Sequence, residues 1–401
     1  MNGITVAYSG VHQAFQIASA AEEMDSLDRF YCSIFDAPGK WGGMVSKILG
    51  SDILLNRRCQ GISASKVREN PWPLLADSLV AKLRSPRGSD LFIANDNFDR
   101  WVARHLTETD SRVFVGVETC AQHSFHKAKR LGLICILDCP QMHPTFLERV
   151  YREAGENLGV SIPATIDTVR MALRKQWEFQ GADYLLVPSG IAKRSFIKAG
   201  FPEDRLIVTP LWVDSNLWFP ETQISRKRDG PLRVLFVGGL SWRKGIPYLF
   251  EAARRCEREV RLTLVGSRMD ELESYLAENS DLYSWIGPQT KPALRRIYGE
   301  HDVFVLPSLA DTFGFVALEA MACGLPVIIS DNCGAPVPDS NWRTPVMNAD
   351  AIASRLALYA ENRDLLQEHG RIALNFARQY TPGRYREQII KFFRQVIIKH
   401  I

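Results

Sequence analysis

Short runs of β-branched and aromatic residues, each ending in a small or polar residue, recur along this chain with helical patterns between them. That alternation restricts the fold to α/β layers built around mostly parallel sheets. In the first half the runs fall at residues 4–8, 91–95, 113–117, 133–138 and 184–188, and helical patterns at 14–24, 98–106, 124–130 and 191–199. Near-continuous apolar runs restart at 233–237, 261–265, 303–307 and 326–330, as expected of parallel strands covered on both faces. Between the two sets, LWVDSNLWFPETQISRKRDGPL holds Pro220, a charged run and Gly230-Pro231, with no sustained period. A chain of 401 residues exceeds what one hydrophobic core usually organises. The reading is therefore a domain at 1–212, a linker at 213–231 and a second domain at 232–383, with a cleft between them. Residues 384–401 alternate apolar positions with Arg386, Lys391, Arg394 and Lys399, which predicts a basic amphipathic helix. It is expected to pack back on the first domain, the competing reading being a helix lying in a membrane interface.

The apolar fraction of 46% and charged fraction of 23% are those of a soluble globular protein, and the net charge of +4 suits anionic ligands or loose contact with an acidic membrane surface. It is too thinly spread for a nucleic-acid site. Cys32, Cys59, Cys120, Cys135, Cys139, Cys256, Cys323 and Cys333 show no C-x-x-C pair and no metal-type spacing, and read as reduced thiols of a cytosolic protein. The N-terminus MNGITVAYSG has no signal-peptide character, and no apolar run approaches the length of a membrane span.

Two segments carry chemistry. LPSLADTFGFVALEAMACGLPVIISDN, residues 306–332, reads as a strand, a turn with an acid, and a helix beginning near Gly314. Helix N-termini leave N–H donors unpaired and carry partial positive charge, so this one suits a diphosphate. Asp311 precedes the helix and Glu319 lies about a turn inside it, where carboxylates can accept from ribose or sugar hydroxyls. Just after the first strand of the second domain, FVGGLSWRKGIPYLFEAA offers Gly238 and Gly239 for close backbone approach, and Arg243-Lys244-Gly245 ahead of a helix start near Ile246. Both segments sit at carboxyl ends of strands, where α/β sheets bind ligands.

With these residues in view, the chain resembles the GT-B fold retaining glycosyltransferases of glycosyltransferase family 4, the glycosyl transferases group 1, over most of its length. The family's E-x7-E segment resembles Asp311-x7-Glu319, and its glycine-rich turn with a phosphate-binding lysine resembles GGLSWRKG. The resemblance implies two Rossmann-like doubly wound domains facing a cleft, and transfer of a sugar from a nucleotide diphosphate sugar to an acceptor hydroxyl. It implies no cofactor beyond that co-substrate and no metal. Lys244 would stabilise the departing diphosphate, with Arg243 as helper. Asp311 would hold the donor sugar, Glu319 the ribose, and Phe315 and Val316 would offer backbone N–H groups. Gly10 would border the diphosphate, the backbone near Ile286 the base, and His143 the donor sugar. The sequence departs from the family pattern in carrying Asp at 311, Gly239 where an Arg is common, one glycine in SGVHQ, and Trp212 before Val213-Asp214.

Other candidates keep two readings. His12 touches acceptor or caps a helix, and Glu118 faces the cleft or caps the helix that follows it. His123 and His126 are three apart but lack a third ligand, so no metal is assigned. The acceptor is a saccharide, a lipid-linked saccharide or a small molecule. Location is cytoplasmic, with peripheral contact at the inner face of a membrane compatible with the charge. Two competing functions are a non-catalytic nucleotide-sugar-binding subunit that positions or activates a partner enzyme, and a GT-B-like epimerase.

Overall fold

A computed structural model describes residues 3–11, 13–49, 57, 61–76, 91–106, 110–162, 169–220, 230–256 and 259–399. His12, Cys59 and linker residues 221–229 lie outside this set. The first sheet contains β1 (Gly3–Tyr8), β2 (Leu27–Cys32), β3 (Val67–Glu69), β4 (Ser111–Val117), β5 (Ile134–Asp138), β6 (Tyr184–Val187) and β7 (Leu206–Val208). Its order is β3-β2-β1-β4-β5-β6-β7, and every pairing is parallel. The second contains β8 (Leu232–Val237), β9 (Val260–Val265), β10 (Tyr283–Ile286), β11 (Val303–Leu306), β12 (Val327–Ser330) and β13 (Arg343–Thr344), ordered β10-β9-β8-β11-β12-β13 and again parallel. Fully buried runs such as Val303–Leu306 and Val327–Ser330 follow from helices covering both faces. In each sheet the strand order reverses once, between β1 and β4 and between β8 and β11. Doubly wound folds open a ligand crevice at that point.

One expected strand is corrected. Residues 91–95 begin the helix Leu91–His105, whose buried Ala94, Phe98 and Val102 recur every four residues. The apolar cluster LFIA had suggested a strand, but the four-residue spacing governs.

The terminal helix Pro382–Lys399 lies against the first-domain helix Ala14–Glu23 and buries Tyr385, Ile389, Phe392, Phe393, Val396 and Ile397. Arg386 holds Glu23 at 2.5 Å and Gln16 at 2.8 Å, while Phe392 packs edge-on to Tyr184. The two domains also touch directly. Ser189 Oγ, which caps the helix Gly190–Lys198, donates to the Thr312 carbonyl at 2.6 Å. Asn157 reaches Met347 Sδ at 3.6 Å.

Candidate active site

The site is assembled where β8 and β11 are neighbours. After β8 the chain passes Gly238 and a short 3-10 turn, Trp242–Lys244, and enters the helix Ile246–Arg255 through Gly245 at φ +71°. A side chain at Gly245 would put its Cβ 2.1 Å from the Pro307 carbonyl oxygen, so this turn presses directly on the segment leaving β11. The Arg243 carbonyl accepts from Leu309 N–H at 3.0 Å and locks the two loops in register.

That packing brings the Lys244 ammonium to Asp311, 2.5 Å from Oδ2. Both side chains stay partly exposed. The other Asp311 oxygen accepts from Gly314 N–H at 2.7 Å, and Gly314, at φ +67°, starts the helix Phe315–Ala322. The Ala317 amide is used by the Gly314 carbonyl. The Phe315 and Val316 amides between them belong to the first turn, which helix geometry leaves without intrahelical acceptors. Phe315 itself is exposed.

Glu319 stands one turn further along, with Tyr298 Oη 3.4 Å from its carboxylate; the same hydroxyl donates to the Val316 carbonyl at 3.2 Å. Burial pushes the Glu319 carboxyl up to about 7, against the lowering influence of Lys291 and Tyr298. It is therefore an acid poised between charge states, positioned by a fully buried tyrosine.

Gly238 and Gly239 line the turn after β8, Gly238 at φ +150° with its carbonyl close against Gly266. The Ile286 carbonyl is taken by Gly266 N–H at 3.0 Å, and the exposed Trp285 beside it lies under the Arg268 guanidinium. Arg243 is half-buried near the hydroxyl of Tyr151, a residue of the opposite domain on the helix Pro144–Leu158. Burial pushes Tyr151 up to about 12, with Arg243 opposing and Asp311 adding to the shift. Tyr151 thus lies within electrostatic range of the Lys244–Asp311 turn. It was missed in the sequence because it reads as one more apolar position on the helix's buried face.

His143 follows β5 and leads into the helix Pro144–Leu158. It caps the helix Pro144–Leu158, accepting from Thr145 N–H at 3.3 Å, and its ring packs 5.3–5.6 Å from Phe179, Phe196 and Phe201. Burial lowers its pKa to about 4, so it is neutral at physiological pH. Those ring partners all belong to the first domain.

Glu118 does not cap the helix Gln122–Arg130. That role falls to Glu178, which accepts from Thr119 and Ala121 N–H, and to Asp99, which accepts from His123 and Ser124 N–H. Glu118 is buried 3.1 Å from Lys175 Nζ, next to Asp138 at the end of β5. Burial, then the Glu118 charge, pushes the Asp138 carboxyl up to about 7. Gly10 lies under the Tyr8 ring, where a Cβ would come within 2.6 Å of it. Among the described residues no group of three or more His, Cys, Asp and Glu is arranged to hold a metal, and no helix is long and apolar enough to cross a membrane. The seven described cysteines are buried.

Known proteins resemble this chain in sequence and in fold. The family described as "Glycosyl transferases group 1" matches residues 231–362. A D-inositol 3-phosphate glycosyltransferase of Pseudarthrobacter chlorophenolicus is 34% identical over 145 residues, covering 32% of this chain and 34% of that protein. The amylovoran biosynthesis glycosyltransferase AmsK of Erwinia amylovora is 29% identical over 198 residues, covering 44% and 47%. The matched stretch thus spans about a third to a half of the length of these relatives. Over the whole chain, the sucrose-phosphate synthase of Thermosynechococcus elongatus superposes with TM-score 0.62 at 17% identity, covering 100% of both chains. Anabaena HepE, solved in complex with UDP-glucose, gives TM-score 0.59 at 15% identity, covering 98% of this chain and all of its own. The chain has the GT-B fold, and residues 231–362 of its second domain match the glycosyl transferases group 1 family.

Proposed function

We propose that the protein transfers a glycosyl group from a nucleotide diphosphate sugar to an acceptor hydroxyl, with retention at the anomeric carbon. The observation that carries this reading is the closed Lys244–Asp311 pair at the β8/β11 reversal, beside the first-turn amides of the helix Phe315–Ala322. In the resting protein Asp311 satisfies the ammonium. An incoming diphosphate competes for Lys244 and the amides, releasing Asp311 to accept from donor sugar hydroxyls. Glu319, on the same helix, accepts from the ribose.

As the bond between the anomeric carbon and the phosphate oxygen breaks, negative charge grows on the diphosphate, and fixed amides plus Lys244 stabilise it more than the ground state. The acceptor oxygen bonds to the anomeric carbon on the same face, and its proton passes to the departing phosphate oxygen. The products are the glycosylated acceptor and a nucleoside diphosphate. In this reading protein cations do the work for which other enzymes use a divalent metal, and the acceptor, a saccharide, lipid-linked saccharide or small molecule, enters from the first domain. The reading places the reaction in the cytoplasm, in glycan or glycoconjugate synthesis. The names of the relatives support glycosyl transfer, and the UDP-glucose bound to Anabaena HepE supports a nucleotide-sugar donor.

The test is release of nucleoside diphosphate from UDP-, GDP- and ADP-sugars by the purified chain, with and without saccharide acceptors. Acceptor-dependent release supports the transferase. Tight binding with no turnover under any acceptor, the behaviour of a positioning subunit, contradicts it, as does interconversion of free nucleotide sugars.

A further inference from the structure

The loops that leave β2 and β3 hold two tryptophans in contact with each other and with solvent. Trp41 opens the helix Trp41–Leu49 after β2, and Trp72 follows β3 after Asn70 and Pro71. Their ring centroids are 5.7 Å apart with planes at 74°, so the pair forms a nearly right-angled corner. Trp41 is 42% and Trp72 63% exposed, and Met44, one turn along the helix, is 57% exposed. Apolar surface left in water is unfavourable, and a patch of it marks a place that a ligand or partner covers.

The surrounding structure holds this corner in place. Glu69, the last residue of β3, accepts from the Phe35 and Trp41 N–H groups at 2.6 and 3.0 Å. Asn70 N–H donates to the Cys32 carbonyl at 3.0 Å, and Lys40 Nζ to the Val67 carbonyl at 2.8 Å. A Cβ at Gly42 would stand 2.4 Å from the Phe35 carbonyl oxygen, and one at Gly43 2.1 Å from that of Ala37, so the helix start is pressed onto the loop before it. Lys40 and Glu69 thus spend their charges on backbone groups and leave the rings as the contact surface.

Arg57 adds a polar group to the same edge. Its carbonyl accepts from Asp36 N–H at 3.0 Å, and Asp36 in turn accepts at 2.9 Å from Ser46 Oγ, on the helix that Trp41 opens. The guanidinium lies within electrostatic range of Tyr8 and Cys32, the last residues of β1 and β2. Its Nη1 is buried and bonds no group among the described residues, which leaves a donor for an acceptor oxygen. All of these groups lie at carboxyl ends of strands in the first sheet, the edge on which doubly wound folds bind ligands.

We infer that this corner seats the acceptor as a sugar ring, with Trp41 and Trp72 packing on its C–H faces and Arg57 donating to one of its oxygens. The inference rests on the proposed glycosyl transfer and narrows its acceptor to a saccharide. A pyranose carries C–H bonds on its faces and hydroxyls around its rim. An aromatic ring is negative over its face, so it attracts polarised C–H groups there while the hydroxyls keep polar partners. Two rings at 74° offer a floor and a side wall, which fits a compact ring better than a flat bilayer surface or an extended chain. Rigid aromatic side chains also fix the orientation of a ligand with little loss of conformational freedom.

The test is saturation-transfer NMR of the full chain with methyl glycosides of glucose, galactose, mannose and N-acetylglucosamine, and glycerol as control, for wild type, Trp41→Ala, Trp72→Ala and Trp72→Phe. Both rings lie at the surface and the Glu69 bond uses the Trp41 backbone, so circular dichroism should not change. The expected result is saturation of the C–H protons of at least one glycoside but not of glycerol, reduced about fivefold or more in both alanine variants and largely kept in Trp72→Phe. No saturation of any glycoside, or saturation indifferent to the alanine substitutions, would overturn the inference. So would wild type that floats with phosphatidylglycerol vesicles and alanine variants that do not, since that assigns the corner to lipid. Glycoside binding is read without donor, whereas the proposed reaction is read from nucleoside diphosphate release. Binding lost in the alanine variants of a chain with no turnover would sink the reaction and keep the sugar seat; turnover with an unchanged acceptor KM in Trp72→Ala would do the reverse.

Discussion

At rest Asp311 occupies the Lys244 ammonium, so removing the lysine has two effects: it deletes the cation meant for the diphosphate and frees the aspartate. Lys244→Ala is expected to lower turnover about 10²-fold or more with an unchanged melting temperature, because the pair is partly exposed and adds little to stability. Unchanged turnover in the purified variant would remove Lys244 from the chemistry. Glu319 makes a different prediction. Its folded pKa of about 7 lies above the unfolded value, so its contribution to stability is fully present below about pH 4.5 and is lost as pH rises through 7. Ribose hydroxyls donate to the ionised form, so donor affinity should run the opposite way, rising about tenfold from pH 6 to pH 8 if only the ionised form binds. Titrations at several pH values check this, and Glu319→Gln should flatten the profile.

At the scale of elements, the β8 turn is the tightest constraint on the site. Gly245→Ala places a side chain at positive φ against the Pro307 carbonyl, and should cost about 2 kcal/mol or more, seen as a lower denaturation midpoint. The strands bordering this turn were legible in the sequence because Val234–Val237 and Val303–Leu306 are apolar throughout, and Gly314 marked a helix start. β2 was not legible, since Asp28 and Arg29 interrupt its apolar run, and β3, β7 and β13 are too short to show a period. Site residues on glycine-marked loops could be found from local pattern. Tyr298 could not, because it looks like a core aromatic until the fold brings its hydroxyl to Glu319. Ser189 likewise reads as an ordinary helix cap, and only the domain arrangement reveals its bond to Thr312.

For the whole molecule, the terminal helix returns from the second domain and seals the first. Phe393→Ala should destabilise the chain by about 3–5 kcal/mol, since the ring is fully buried, and chemical denaturation checks this. The Ser189 hydroxyl donates to the Thr312 carbonyl across the cleft, on the loop that would grip the donor, so donor binding and domain closure should be coupled. The most direct measurement is calorimetric titration of wild type, Lys244→Ala and Glu319→Gln with UDP, GDP and ADP. A nucleotide grip at the carboxyl end of the second sheet predicts that at least one diphosphate binds wild type and that both substitutions weaken it about tenfold or more. Binding that is indifferent to both substitutions, or absent for all three nucleotides, would contradict it.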